Sequence, residues 1–301
     1  MATKMTAIVP YDPASGAPVQ ASSDDQMIAL WLGRFRSPHT LRAFSGDIQH
    51  FRDAVRKPLR DIVLRDIQAW GLAMEAINAP KSVGRRLSTV RSLFSFAHKV
   101  GYLQWNVAAA VTTPPIEDKL ARRIPTEDQV AKLLAVLRNP RDNALLRLLY
   151  IGGLRISEAS GLRWRHVTPR DGGEAQLTVF GKGGKTREIL IPATMANRLF
   201  ALKLRTDGPD DPVFRSRSVA RRGVAMGPRD VWKTVKKAVQ RADLPREFSS
   251  HHMRHAHASH ALDRGAPIHV VQQTLGHASL TTTTRYTHVR PGDSSAKYLP
   301  A

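Results

Sequence analysis

The sequence contains no cysteine, which excludes disulfides, thiolate nucleophiles and Cys-based zinc sites together. No apolar run approaches the ~20 residues of a spanning helix. The opening MATKMTAIVPYDP has no apolar core of signal-peptide length. A membrane partner and export are therefore not expected, and a cytoplasmic protein is. Acidic residues are scarce: 25 Asp and Glu face 46 Lys and Arg, for a formal net charge of +21. A surplus of that size attracts polyanions, nucleic acid first among them.

The surplus is not confined to a tail. Residues 1–112 hold 14 Lys and Arg against 8 Asp and Glu, and residues 113–301 hold 32 against 17. Both halves are thus expected to touch the polyanion. A chain of 301 residues with 42% hydrophobic content is long enough for two ordinary domains with their own cores.

Residues 1–22 are rich in Ala, Ser, Pro and Gly without periodicity and read as a flexible leader. Order is expected to begin at the cap-rich Ser22-Ser23-Asp24-Asp25. Ser37-Pro38 predicts a second helix start, with Ser as N-cap and Pro at the first helical position. Leu41, Phe44, Ile48, Phe51 and Val55 then recur at helical spacing. A third helix is expected over roughly 64–77. A fourth starts after Lys81-Ser82, with Val83, Leu87, Val90 and Phe94 on one face, and stops at Gly101. Pro114-Pro115 and the charged run behind it mark a linker over 113–123.

Thr126-Glu-Asp-Gln129 is a capping box that predicts a helix opening a second domain. Another helix follows to about Ile151 and ends at Gly152-Gly153. The period then changes: QLTVF, GKGGK and TREILIP over residues 176–192 read as two short strands and a Gly-rich turn. Helices resume at about 193–204 and 228–242. The last stretch reads as three short helices broken at Gly265 and Gly276.

Several side chains in this second half could carry chemistry. Arg155 follows Gly-Gly-Leu in a bend between apolar helices, with Glu158 three residues on as an ion-pair partner, structural or catalytic. The turn GKGGK presents Lys182 and Lys185, but the spacing is not that of a P-loop and no helix follows. His251 and Arg254 lie at i and i+3, on one helix face, and could donate to one phosphate or form a solvated basic face. Five histidines crowd residues 251–260, and His251 and His255 have i, i+4 metal-ligand spacing. Against a metal stand the missing Cys, the missing neighbouring Glu and the repulsion from Arg254. His255 and His260 read as packing or hydrogen-bonding residues. His277 follows a Leu-Gly break, and Tyr286 comes nine residues later. A phenol with a pKa near 10 is only ~0.1% ionised at neutral pH, so Tyr286 as a nucleophile needs a base or strong positive potential beside it. Arg42, Lys81, Arg85, Arg86, Arg221 and Arg222 are candidates for phosphate contacts.

The order of these features, G-L-R-x-S-E, a turn lysine, H-x-x-R, L-G-H and a tyrosine, closely resembles the tyrosine recombinases (the phage integrase family). LGHASLTTTTRYTHV is similar to the Xer-type branch, and SPHTLRAFSGDIQHF and YLQWNVA resemble the family's N-terminal domain. The resemblance implies a mainly α chain of the tyrosine-recombinase fold. It comprises a four-helix, SAM-like core-binding domain over 23–112 and an α+β catalytic domain with a small β-hairpin over 124–290, followed by a tail over 291–301. It implies that Arg155 and Arg254 clamp the scissile phosphate while His251 and His277 add hydrogen bonds. Lys182 would protonate the leaving 5′-oxygen, Glu158 support the site, and Tyr286 form a 3′-phosphotyrosyl bond. No metal and no cofactor are implied. The partners are double-stranded DNA with a specific recombination site, three further copies in a tetramer that passes through a Holliday junction, and in some settings a second recombinase. Two alternatives stay open: a non-catalytic DNA-binding regulator that retains the fold, and a type IB topoisomerase-like strand transferase. A histidine-metal nuclease is a third, which a chelator would inhibit.

Overall fold

The computed structural model describes residues 21–115, 124–181, 184–218, 220 and 222–276. The expected leader (apart from Ala21 and Ser22), most of the expected linker and the tail lie outside the described residues. So do Lys182, Arg221, His277 and Tyr286. Contacts divide the chain into two compact units, Met1–Glu117 and Asp118–Ala301. Among the described residues no helix is long and apolar enough to cross a membrane.

The first unit is built from α1 (Asp24–Leu32), α2 (Pro38–Val55), α3 (Leu64–Glu75) and α4 (Pro80–Lys99). Its helix starts follow local chemistry. The Ser23 hydroxyl accepts from the Gln26 N–H and the Ser37 hydroxyl from the Thr40 N–H, each satisfying a backbone donor that the first turn leaves unpaired. The fourth helix starts earlier than the Lys81-Ser82 signal implies, because Pro80 takes its first position with φ already set for a helix. Met27, Trp31, Ile48, Phe51, Ile67, Trp70, Leu93 and Phe94 pack as one apolar core. Phe51 meets Trp70 edge to face at 4.9 Å.

The second unit opens with α5 (Glu127–Ala135) and α6 (Pro140–Ile151), then the five-residue α7 (Ile156–Ser160). Thr126 and Gln129 cap α5 reciprocally, at 3.2 and 3.0 Å. Strands β1 (Val167–Pro169), β2 (Ala175–Phe180) and β3 (Thr186–Ile191) form an antiparallel sheet in that order. Helices α8 (Ala193–Phe200), α9 (Pro228–Arg241), α10 (Ser250–Asp263) and α11 (Ile268–Leu275) complete the described chain. Sequence reading finds β2 and β3 but not β1, a three-residue strand ending in proline that exists only by its pairing with β2, Val167 opposite Leu177 and Pro169 opposite Ala175. On β2 the residues Ala175, Leu177 and Val179 are buried, as are Ile189 and Ile191 on β3, so one face of the sheet packs on the core. Register places Arg187 opposite Val179. Cross-strand partners share a face, which sends Arg187 toward the buried side. That placement builds the site described next.

Candidate active site

The site begins where α6 runs out. Gly153 sits at φ +57°, in the left-handed region that favours glycine. A Cβ there would lie 2.6 Å from Leu275 Cδ2 and 3.0 Å from His257 Cδ2, so any larger residue would have to displace both side chains. The buried Leu154 anchors the next step, and Arg155 stands extended as the N-cap of α7. Glu158, at the third position of α7, accepts the Arg155 backbone N–H at 2.8 Å and its guanidinium at 2.9 Å.

Glu158 is shared. Arg187, arriving from β3, donates to Glu158 Oε1 at 3.0 Å and to Oε2 at 2.8 Å. The Glu158 side chain is only 2% exposed. Burial alone would push its carboxyl up, but the Arg187 guanidinium, the Arg155 N–H and the Arg155 guanidinium outweigh it and hold the group at about 2. The carboxylate is therefore charged at any working pH.

Arg187 also reaches past Glu158, its Nε donating to the Thr274 carbonyl in the last turn of α11 at 2.7 Å. Helix α11 then ends on Gly276 in the left-handed conformation at φ +62°. A Cβ at Gly276 would lie 2.9 Å from Arg187 Cδ. The close approach of the arginine stem thus requires a glycine there.

Arg254, buried on α10, ties the same pieces from the other side. It donates to the Gly153 carbonyl at 2.5 Å and to the Leu275 carbonyl. Arg155 and Arg187 so flank one carboxylate, and Arg254 joins them through the Gly153 and Leu275 carbonyls, an excess of two positive charges in a largely dry cluster. Arg155 keeps 34% of its side chain exposed, which makes it the outward-facing cation of the three. Preorganised cations of this kind stabilise an anion, or a developing negative charge, without reorganising.

The histidines of α10 divide by helix face. His260 joins two elements: its Nε2–H donates to the Pro125 carbonyl at 3.0 Å and its Nδ1 takes the Tyr150 hydroxyl at 2.9 Å, the hydrogen-bonding role expected for it. His251 lies exposed in the first turn of α10, one turn before Arg254. Among the described residues no three His, Cys, Asp or Glu side chains are grouped to hold a metal ion. His257, one turn after Arg254, donates from Nδ1 to the Tyr150 carbonyl at 2.9 Å. Burial pushes its ring down to about 4; the bond to Tyr150 resists, and the Arg254 charge reinforces the fall.

The His257 environment predicts an acid-sensitive fold. The folded value lies below the ~6.5 of an unfolded histidine, so below pH 6.5 the unfolded chain takes up the proton first. The stability contributed by the neutral ring is complete above that pH and is lost as the pH falls toward 4. The gap between the two values corresponds to about 3 kcal/mol. Urea denaturation of the wild type between pH 7 and pH 4 should show this decline, and His257→Phe should flatten it. Equal slopes in the two proteins would refute the assignment.

The candidate phosphate contacts of the first unit are placed unequally. Arg42 and Lys81 are exposed, Arg42 lying 3.2 Å from His39 Nδ1. Arg85 pairs with the buried Asp47, which also accepts from Thr89 at 3.0 Å. Arg86 is half-buried against His50 at 3.0 Å. The last two therefore have an internal task, neutralising and framing a buried carboxylate. In the second unit Arg222 is exposed.

Two residues of the cluster were not singled out from the sequence. Arg187 shares the strand alternation of the buried Ile189 and Ile191, a signal that was available. His257 had only its i, i+3 relation to Arg254.

Comparison with known proteins places this chain among relatives. The model of the phage integrase family matches residues 123–292, and that of the phage integrase N-terminal SAM-like domain matches residues 27–101. A tyrosine recombinase XerD of Shewanella oneidensis is 34% identical over 280 residues, covering 86% of this chain and 89% of its own. A tyrosine recombinase XerC of Pseudomonas savastanoi pv. phaseolicola is 32% identical over 266 residues, covering 84% and 86%. Among solved structures, a lambda integrase dimer bound to a COC′ core site superposes with a TM-score of 0.70 at 20% identity, covering 89% of this chain and 79% of that one. This last likeness is one of fold.

Proposed function

The chain belongs to the phage integrase family of tyrosine recombinases, and from that membership we propose that it is a site-specific DNA recombinase. It cleaves and rejoins strands through a 3′-phosphotyrosyl intermediate and a Holliday junction, as a tetramer on DNA. Its substrate places it in the cytoplasm. The observation that supports the reading on this chain's own residues is the cluster in which Glu158 anchors Arg155 and Arg187, and Arg187 and Arg254 both reach the end of α11.

In the reaction the Tyr286 phenolic oxygen attacks the scissile phosphorus as its proton leaves to solvent or a nearby base. The P–O5′ bond breaks, and Lys182 gives the departing 5′-oxygen its proton. Arg155 and Arg254 neutralise the charge that spreads over the non-bridging oxygens of the pentavalent state. His251 and His277 add hydrogen bonds to it, and Glu158 holds Arg155 in place. The phosphotyrosyl bond stores the energy of the phosphodiester, so a 5′-hydroxyl from a partner strand reverses the step without ATP. Arg42 and Lys81 in the first unit, with Arg221 and Arg222 in the second, contribute phosphate contacts that position the duplex rather than read it.

Covalent capture tests this. A library of nicked duplexes with a randomised core is incubated with the protein in EDTA, and the adducts are recovered and sequenced. Enrichment of one defined core, joined to protein through a 3′-phosphate, is the expected result. Adducts without sequence preference would mark a topoisomerase-like transferase. Binding without any adduct would mark a DNA-binding protein and overturn the proposal.

A further inference from the structure

Arg187 does more than neutralise a buried acid. Its three guanidinium nitrogens each donate to a different acceptor at once: both oxygens of Glu158 and the Thr274 carbonyl. Those acceptors lie on α7 and α11, and Arg187 itself is on β3. Only the planar fork of an arginine, with Nε in the same plane, makes such a set; the point charge of a lysine cannot. The side chain is 10% exposed, which keeps it from acting as a surface phosphate contact. For stability alone a buried ion pair is often no better than apolar packing, so this geometry asks for another reason.

The reason lies in what each acceptor is attached to. The Glu158 carboxylate is the anchor of the Arg155 guanidinium, and with Arg187 on both its oxygens it cannot turn. Thr274 precedes Leu275, whose carbonyl receives Arg254. One side chain thus fixes the support of Arg155 on one side and the support of Arg254 on the other. The Gly276 turn, closed against the Arg187 stem, leaves that link no slack. We propose that Arg187 is a positioning residue that sets the distance and orientation between the two arginines that clamp the scissile phosphate. This rests on the recombinase reading above, and the roles of Arg155 and Arg254 in it.

The test uses the full chain and the duplex core recovered by covalent capture. Single-turnover adduct formation is measured as a function of DNA concentration for wild type, Arg187→Met, Arg187→Lys and Arg155→Ala. Arg187→Met is expected to lower the maximal rate about 10²-fold, the loss that a misplacement of about 1 Å produces, with the half-saturating DNA concentration unchanged. Arg187→Lys keeps the charge beside Glu158 and so the fold, yet should recover little of the rate. The decisive arm replaces one non-bridging oxygen of the scissile phosphate by a neutral methyl group. That substrate carries less charge for the clamp to neutralise. The defects of Arg187→Lys and Arg155→Ala should therefore both shrink toward wild type on it. A wild-type rate for either Arg187 variant would overturn the proposal, as would the same fold-loss on both substrates. No effect of Arg155→Ala on the natural phosphate would instead count against the clamp itself, and no wild-type adduct against the recombinase reading.

Discussion

Tyr286→Phe is expected to abolish covalent capture while leaving DNA binding unchanged. The substitution removes one oxygen and keeps the ring, so whatever the side chain packs against is retained. What is lost is the phenolic oxygen that would form the phosphoester, while the other tyrosine of the stretch after Leu275, Tyr298, stays in place. Removing a nucleophile that works with an activating constellation commonly costs about 10⁶ in rate, which puts the variant's adduct below detection. The oxygen needs that constellation, because a free phenol is ~99.9% protonated at neutral pH. The excess positive charge around Glu158 is the sort of field that lowers the cost of forming a phenolate and of crowding negative charge onto phosphorus. Gel-shift binding and denaturing-gel capture on the same nicked duplex separate the two effects. An adduct that persists in Tyr286→Phe at the wild-type rate would put the nucleophile on another side chain, and peptide mapping of that adduct would identify it.

The parts of this fold that could be read from the sequence are those whose physics is local. Ser37-Pro38 and Thr126–Gln129 start helices because a hydroxyl and a fixed φ act within one turn. The hairpin was visible because apolar residues alternate on either side of a glycine-rich turn. Arg155 stood out because glycines and a buried leucine force the bend in front of it. Arg187 was not legible in the same way. Its acceptors lie 29 and 87 residues away along the chain, and its only local mark was its phase with Ile189 and Ile191. The histidine-rich stretch had the converse problem, since five similar residues gave five similar signals. Helix geometry sorted them, sending His257 and His260 inward to Tyr150 and Pro125 and leaving His251 exposed in the first turn. Arg85 read as a phosphate contact, and nothing near it in sequence announces that Asp47, on a different helix, is buried beneath it.

Glu158→Ala is expected to destabilise the second unit by about 3–5 kcal/mol, the usual cost of removing one partner from a buried ion pair. Whole-domain stabilities are about 5–15 kcal/mol, so this is a large fraction. The loss falls mainly on Arg187, which would be left with a buried charge and one carbonyl partner. Arg155, a third exposed, can re-solvate and costs less. Glu158→Gln should fall between the two, since the amide keeps one acceptor oxygen but turns N–H groups toward a guanidinium. The two variants also remove a titration. The wild-type carboxyl sits at about 2 when folded, against an ordinary 4.5, so its stabilisation is complete above pH 4.5 and is lost as the pH falls toward 2. Neither variant should show that decline. Denaturant midpoints at pH 7, with hydrogen exchange at α7 and β3 as a local readout, measure the first effect, and midpoints between pH 4.5 and 2.5 measure the second. A Glu158→Ala protein within about 1 kcal/mol of wild type, an ordinary surface substitution by that measure, would mean that the arginines do not depend on the carboxylate. If they do depend on it, the acid is a structural hub whose removal frees all the parts of the clamp at once. In that case Glu158→Gln should lose adduct formation while still folded, since restraining Arg155 requires the charge as well as the shape.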